Sequence, residues 1–335
     1  MKIPDVVLTL RKLMVENGMA PDGIEMLSNT IIENYNPLAQ SHDERTNWID
    51  IRKSWNNRLI RRIKNEEDKE KLKYVELGKE DLIKDRADIV YFVGCNSAYP
   101  RINMGIPDAF VHIMHAAGED FTLLGQDERC CADPLFLSGH HDAFNKLAEY
   151  NLKEVEKRGA SRLVMACAGC YRVFKHEYPK YLDDVPDIEI IHATELLDQY
   201  IKEGKLEVPE KQESPLKVTY HDPCEIGRVG RIFEPPRRVL EGIGIPVLEM
   251  VDEREQSFCC GGGGLVKVSD QEISSKLSFT RIGQAEDTGA EIITSACPSC
   301  KITLRDGVLS LGKKIGVMDI TELVAQQLGL VPSQR

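Results

Sequence analysis

No stretch of this chain reaches the about 18 uninterrupted apolar residues of a membrane-crossing helix, and the start Met1-Lys2-Ile3-Pro4-Asp5 has no apolar signal core. A soluble, cytoplasmic protein that does not itself span a membrane is expected. Positive charge is also short: 43 Lys and Arg stand against 54 Asp and Glu, a net of −11, which repels a phosphate backbone and argues against nucleic acid as a partner. The one basic run, Arg52, Lys53, Arg58, Arg61, Arg62 and Lys64, reads as a solvated helix face. A dinucleotide fingerprint is absent too, because GxGxxG starting at Gly261 needs glycine where Val266 stands. His112, His115, His140 and His141 lack metal-ligand spacing and read as structural, whereas His221 stands three residues before a cysteine.

What the chain does have is cysteine in a fixed frame. Phe258-Cys259-Cys260-Gly261-Gly262-Gly263-Gly264 is its centre. Adjacent cysteines on an extended chain point their sulfurs apart, which suits two atoms of a polynuclear centre better than one tetrahedral ion. The glycines behind them allow close backbone approach and positive φ. Cys224 precedes the pair by 34 residues, and Cys297-Pro298-Ser299-Cys300 follows after 36. The first half repeats the frame: Cys95, 34 residues, Cys130-Cys131, 35 residues, Cys167-Ala168-Gly169-Cys170. All ten cysteines are used, five per copy, and without a secretion signal they read as metal or redox ligands rather than disulfides. Thiolates select zinc, copper(I) or iron-sulfur. Zinc would leave one of five ligands over in each copy, and a thioredoxin-like dithiol would leave six cysteines without a role.

The offset between copies is 129 for the first three cysteines and 130 for the CxxC pairs. Strand-like and helix-like patterns alternate in both: Asp88 to Cys95, Phe121 to Leu124, a helix Asp142 to Arg158, Arg162 to Ala166 and Ile188 to Ile191. The second copy follows with Lys217 to His221, Val247 to Val251, a helix Gln271 to Thr288 and Glu291 to Ser295. Each closes on Thr-Glu-Leu, at Thr194 and Thr321. The fold class expected is α/β, two duplicated small parallel-sheet domains related by a pseudo-twofold and preceded by a helical arm. Boundaries are set at 1–86 for the arm, 87–212 and 213–335 for the two domains. Cysteine groups after strands place each set of five at the crevice formed by carboxyl ends of strands. The arm, with helices from Pro4 to Asn17 and from about Pro21, carries no cysteine. It is expected to pack on the body or on a partner subunit and to hold nothing catalytic.

The doubled pattern of Cys, Cys-Cys and Cys-x-x-Cys, over about residues 88 to 326, resembles the CCG-domain proteins, most closely the catalytic B/D-type subunit of heterodisulfide reductase. That resemblance implies two noncubane [4Fe-4S] clusters, one on Cys95, Cys130, Cys131, Cys167 and Cys170 and the other on Cys224, Cys259, Cys260, Cys297 and Cys300, with a small disulfide split between them. One departure is Ala132, where the family pattern has glycine. The region around Asn36-Pro37 and Arg45 to Trp48 resembles the helical tail that follows the family's ferredoxin part. With every cysteine spent, electrons are expected from a ferredoxin-like iron-sulfur subunit and a flavoprotein subunit, in anaerobic metabolism. Similar subunits serve flavin-dependent glycolate, lactate and glycerol-3-phosphate dehydrogenases as electron carriers, which is the alternative role.

Overall fold

Short strands set the architecture, and those at Ile89–Phe92, Phe121–Leu123, Val218–His221 and Ile292–Ser295 are buried along their whole length. The computed structural model describes residues 3–208 and 216–333. In the first copy β1 (Ile89–Phe92), β2 (Phe121–Leu123), β3 (Arg162–Met165) and β4 (Glu189–His192) form a parallel sheet in the order β2-β1-β3-β4. Ile89 stands opposite both Phe121 and Arg162, and Arg162 opposite Glu189. In the second, β5 (Val218–His221), β6 (Ile292–Ser295) and β7 (Gly316–Asp319) repeat the order of β1, β3 and β4, again parallel. Continuous apolar runs such as Ile89-Val90-Tyr91-Phe92 are what a sheet covered on both faces requires.

The strand expected over Val247 to Val251 does not form. Only Val247 bridges Val218, with Leu248 N–H donating to the Val218 carbonyl at 2.8 Å. Pro246 offers no N–H there, and Val251 turns out to solvent, so this edge shrinks to a single bridge. The basic run also needs correction at one position, since Arg52 is buried and its Nε donates to Asp108 Oδ2 at 3.0 Å.

The two copies pack through contacts that come in exchanged pairs. Helix Ala193–Lys202 lies on Glu234–Gly242, and the repeat-related helix Ile320–Gln327 lies on Gly105–Ala116. Likewise Ala168–Arg172 meets the turn Glu225–Val229, and Pro298–Ser310 meets Cys95–Ala98. Such reciprocity is the signature of a twofold between copies. Polar bonds reinforce it. Asn96 Nδ2 donates to Ser299 Oγ at 2.8 Å, Asn103 Nδ2 to the Pro298 carbonyl at 3.0 Å, and the buried Lys301 Nζ to both the Ile102 carbonyl and Glu322 Oε2. Among the described residues no helix is long and apolar enough to cross a membrane.

The last helix of each copy is capped from the strand before it, by His192 Nδ1 accepting from Thr194 N–H and by Asp319 Oδ1 accepting from Thr321 N–H. Burial holds the His192 imidazole pKa down to about 4. The unfolded chain therefore takes up this proton first, and the stability His192 contributes is complete above about pH 6.5 and is lost as pH falls toward 4. His192→Asn keeps a capping oxygen and removes the titration. In denaturant unfolding it is expected to spare on the order of 3 kcal/mol of the stability that the parent loses between pH 7 and 4. Parallel pH profiles for the two proteins would contradict this.

Candidate functional site

Four of the six cysteine groups, those opened by Cys95, Cys167, Cys224 and Cys297, sit at the carboxyl ends of β1, β3, β5 and β6, and the two Cys-Cys pairs lie in loops further on. Cys95 opens the turn Cys95–Ala98 after β1, Cys224 directly precedes the turn Glu225–Val229 after β5, and Cys167 and Cys297 are N-caps of the helical segments that follow β3 and β6. Gly94, at φ 78°, is what lets β1 turn here; a Cβ on it would stand 3.3 Å from Cys170 Sγ.

All ten thiols are free and lie in one uninterrupted run. In the first copy Cys95 meets Cys130, Cys130 meets Cys131, Cys131 meets Cys170 and Cys170 meets Cys167. In the second Cys224 meets Cys259, Cys259 meets Cys260, Cys260 Sγ lies 3.3 Å from Cys300 Sγ, and Cys300 meets Cys297. Cys167 and Cys297, equivalent positions of the repeat, meet each other and join the two halves. The sequence of contacts is thus a palindrome about that pair. Crowding splits the thiols electrostatically: Cys130 and Cys170 draw Cys131 down to about 6, while Cys259 pushes Cys260 up to about 12. Such a row cannot ionise throughout without a cation.

The adjacent cysteines do not point apart as an extended chain would have them. After each pair the backbone turns through positive φ, 61° at Ala132 and 82° at Gly261, and the amide of that residue swings back to donate to the first sulfur. Ala132 N lies 3.4 Å from Cys130 Sγ, and Gly261 N lies 3.3 Å from Cys259 Sγ. The role of the residue after the pair is therefore conformational, and Ala132 fills it despite its Cβ. At Gly261 a Cβ would run into the Ser274 carbonyl oxygen.

Around these sulfurs the copies differ. In the first, the arm packs on the body, one of the two placements expected of it, and reaches the cysteines themselves. Helix Asp22–Asn34 ends at Tyr35 in a left-handed conformation, φ 57°, which aims the Tyr35 carbonyl at Cys130 N–H, 2.9 Å away. The buried Asn36 then folds the next loop, its Oδ1 accepting from Leu38 and Gln40 N–H and its Nδ2 donating to the Asn34 and Gln40 carbonyls. This loop delivers the turn His42–Thr46, whose Arg45 places Nη1 and Nη2 each 3.7 Å from Cys95 Sγ. Glu128 holds the guanidinium while accepting from Val93 and Gly94 N–H at 2.8 Å. In the sequence only the Asn36-Pro37 and Arg45 to Trp48 segment marks this region.

In the second copy the support comes from helix Gln271–Asp287. Its fully buried Arg281 stands where the repeat puts Asn151 in the first copy, and its Nε donates to His221 Nδ1 at 3.0 Å. Asn151 instead accepts from Arg129 N–H and donates to the Cys130 carbonyl. Among the described residues one group of three brings metal-ligating atoms all within 4.8 Å of one another, His221 with Cys260 and Cys300. Because Arg281 always donates, the neutral His221 ring carries its proton on Nε2. Burial and the Arg281 charge lower its pKa to about 3. It thus offers an N–H to its surroundings rather than a free nitrogen lone pair.

Where the copies meet, the half-buried Asp133, its Oδ1 shut off from solvent, has its pKa raised to about 8 by desolvation and by Glu225, against the pull of Arg172. Arg172 reaches across to Glu225 at 3.2 Å. His112 and His140, by contrast, are bonded into the scaffold, His112 to the Asp108 and Val75 carbonyls and His140 to Ser28 and Ser138.

Sequence comparison agrees with the placement of these cysteines. The cysteine-rich CCG domain matches residues 89–175 and again 218–305. The D-type component of the dihydromethanophenazine:CoB--CoM heterodisulfide reductase of Methanosarcina acetivorans is 34% identical over 329 residues, 96% of this chain and 72% of that protein. Its Methanosarcina barkeri counterpart is 33% identical over 97% of this chain and 73% of its own length. The EtfAB:quinone oxidoreductase of Syntrophomonas wolfei is 28% identical over 96% of this chain but only 43% of its own length.

The turn after each cysteine pair yields a paired expectation. Ala132→Gly relieves a left-handed alanine but loses a buried methyl and adds chain entropy, so stability stays within about 1 kcal/mol of the parent. Gly261→Ala adds a left-handed penalty to a backbone clash and is expected to cost roughly 2–4 kcal/mol in denaturant unfolding. Equal effects at the two positions would contradict this difference between the turns.

Proposed function

For this chain, which belongs to the CCG family of cysteine-rich iron-sulfur proteins and is closely related to the D-type heterodisulfide reductase subunit, we propose reduction of a small disulfide to two thiols between two noncubane [4Fe-4S] sites. Cys95, Cys130, Cys131, Cys167 and Cys170 hold one, and Cys224, Cys259, Cys260, Cys297 and Cys300 the other. The observation that carries this reading is the palindromic run of thiols, in which two equal five-cysteine sets adjoin at the Cys167–Cys297 contact.

The donor set fits such a cofactor. Eight of the ten thiols are buried, and N–H groups of Ala132, Gly261, Gly262 and Arg45 are aimed at sulfur, which is how a protein solvates thiolates that carry a metal. When bound, the clusters supply single electrons and iron able to take a thiolate sulfur. The protein's part is to hold the two sites close, exclude water and keep the sulfur ligands hydrogen-bonded. Breaking one S–S bond takes two electrons and two protons, and this reading draws the electrons from a ferredoxin-like iron-sulfur subunit fed by a flavoprotein. A second reading, a pure electron carrier beside a flavin-dependent dehydrogenase, is favoured by the likeness to the EtfAB:quinone oxidoreductase.

Turnover separates the two. Iron-replete protein given a strong artificial donor and no flavoprotein is expected to reduce members of a panel of small organic disulfides, including the coenzyme M and coenzyme B heterodisulfide. Thiol added to the oxidised protein is expected to perturb a cluster's electron paramagnetic resonance signal. No turnover across the panel, with thiols leaving the spectrum unchanged, would make the carrier role the correct one.

A further inference from the structure

The two sites repeat one another in ligand order, yet the arm occurs once, and among the described residues only the first site receives a charged side chain from it. Arg45 is 2% exposed, and both terminal nitrogens lie 3.7 Å from Cys95 Sγ. Its guanidinium also lies 5.7 Å from the centre of the Tyr99 ring and is held by the buried Glu128. Burying an arginine is costly unless its position is fixed by partners. Here three independent groups fix it: the Glu128 carboxylate anchored on Val93 and Gly94 amides, the Tyr99 face, and the sulfur itself. The loop that presents Arg45 is fixed in turn by Asn36 and by two bonds to the body, His42 Nε2 to the Gln126 carbonyl at 2.6 Å and Gln126 Nε2 to the Asp43 carbonyl at 3.2 Å.

The second site has no equivalent contact among the described residues. Its arginine, Arg281, comes from the body and is spent on His221 Nδ1, Ser257 Oγ and the Asp252 carbonyl rather than on a sulfur. Cys224 and Cys259, the repeat partners of Cys95 and Cys130, are the two cysteines left partly exposed.

We propose that Arg45 is a positioning residue of the first cluster site, acting through Cys95 to raise the reduction potential of that cluster above the value its ligands alone would give. The inference rests on the reading that both five-cysteine sets hold clusters. A fixed positive charge and N–H···S contacts stabilise the more negative, reduced state of an iron-sulfur centre, and they do so strongly where water is excluded. Glu128 works against Arg45 from the same anchor, so the local field depends on both. The arm is therefore part of a cofactor site, and the two clusters, alike in ligands, differ in electron affinity.

The test is a redox titration of full-length, anaerobically prepared protein followed by electron paramagnetic resonance, with iron content measured alongside. Arg45→Met is expected to lower the midpoint of one cluster and leave the other in place. Glu128→Gln, which removes the opposing charge while keeping a side chain of the same size, is expected to raise the midpoint of that same cluster. A purely structural role would change cluster content without moving midpoints in opposite directions. Where Arg45→Met does not fold, the upward shift in Glu128→Gln carries the test. Iron-replete variants whose midpoints match the parent, or shift for both clusters alike, overturn this inference while leaving the proposed function standing. A parent protein without iron or sulfide would instead remove the reading beneath it.

Discussion

Ten thiols crowded into one continuous line are the constraint on which the rest of this molecule depends. Sulfurs so close repel one another once ionised, and burial makes that repulsion stronger. The scaffold answers with backbone N–H groups turned back onto sulfur at Ala132 and Gly261, with Arg45 at one end of the line and with the His221–Arg281 pair near the other. Parallel strands are suited to this task because their carboxyl ends lie along one edge, so β1 and β3 deliver cysteines to one crevice and β5 and β6 to the other. The exchanged helix contacts then hold the two copies together, and Cys167 meets Cys297 where they join.

Much of this is legible in the residues. The near-constant offset of 129 or 130 announces a duplication, and alternating strand and helix patterns announce parallel sheets. Helix Gln271–Asp287 is legible to within a residue of its ends even though its buried face carries Ser274, Ser278 and Arg281 rather than a clear apolar stripe. The second-sheet edge is not legible. The stretch from Val247 to Val251, apolar but for Glu249, looks the same whether or not it finds a partner, and its loss is decided by Pro246 and by where the chain leaves the sheet.

The arm's role escapes the sequence for a different physical reason. Arg45 is one charged residue in a polar stretch, and nothing in local sequence says that a buried Asn36 will fold the loop so as to carry it to Cys95. Arg52, buried against Asp108, is hidden in the same way among solvated basic residues. Long-range ion pairs leave no periodicity, and both partners look exposed until the chain is folded. The same limit applies to His221, whose nearness to Cys224 suggests a role, but whose hydrogen-bonding state is set by Arg281, 60 residues away.

The ten thiols thus present symmetric ligand sets in asymmetric surroundings, with Arg45 beside one set and the His221–Arg281 pair beside the other. Under the proposed function, the equal sets serve two like sulfur groups and the unequal fields order the electrons. All of it rests on what the ten thiols bind. Iron, acid-labile sulfide and zinc measured together on anaerobically purified protein test that most directly. The account expects on the order of eight irons per chain with matching sulfide, the content of two four-iron clusters. Stoichiometric zinc without sulfide would contradict it.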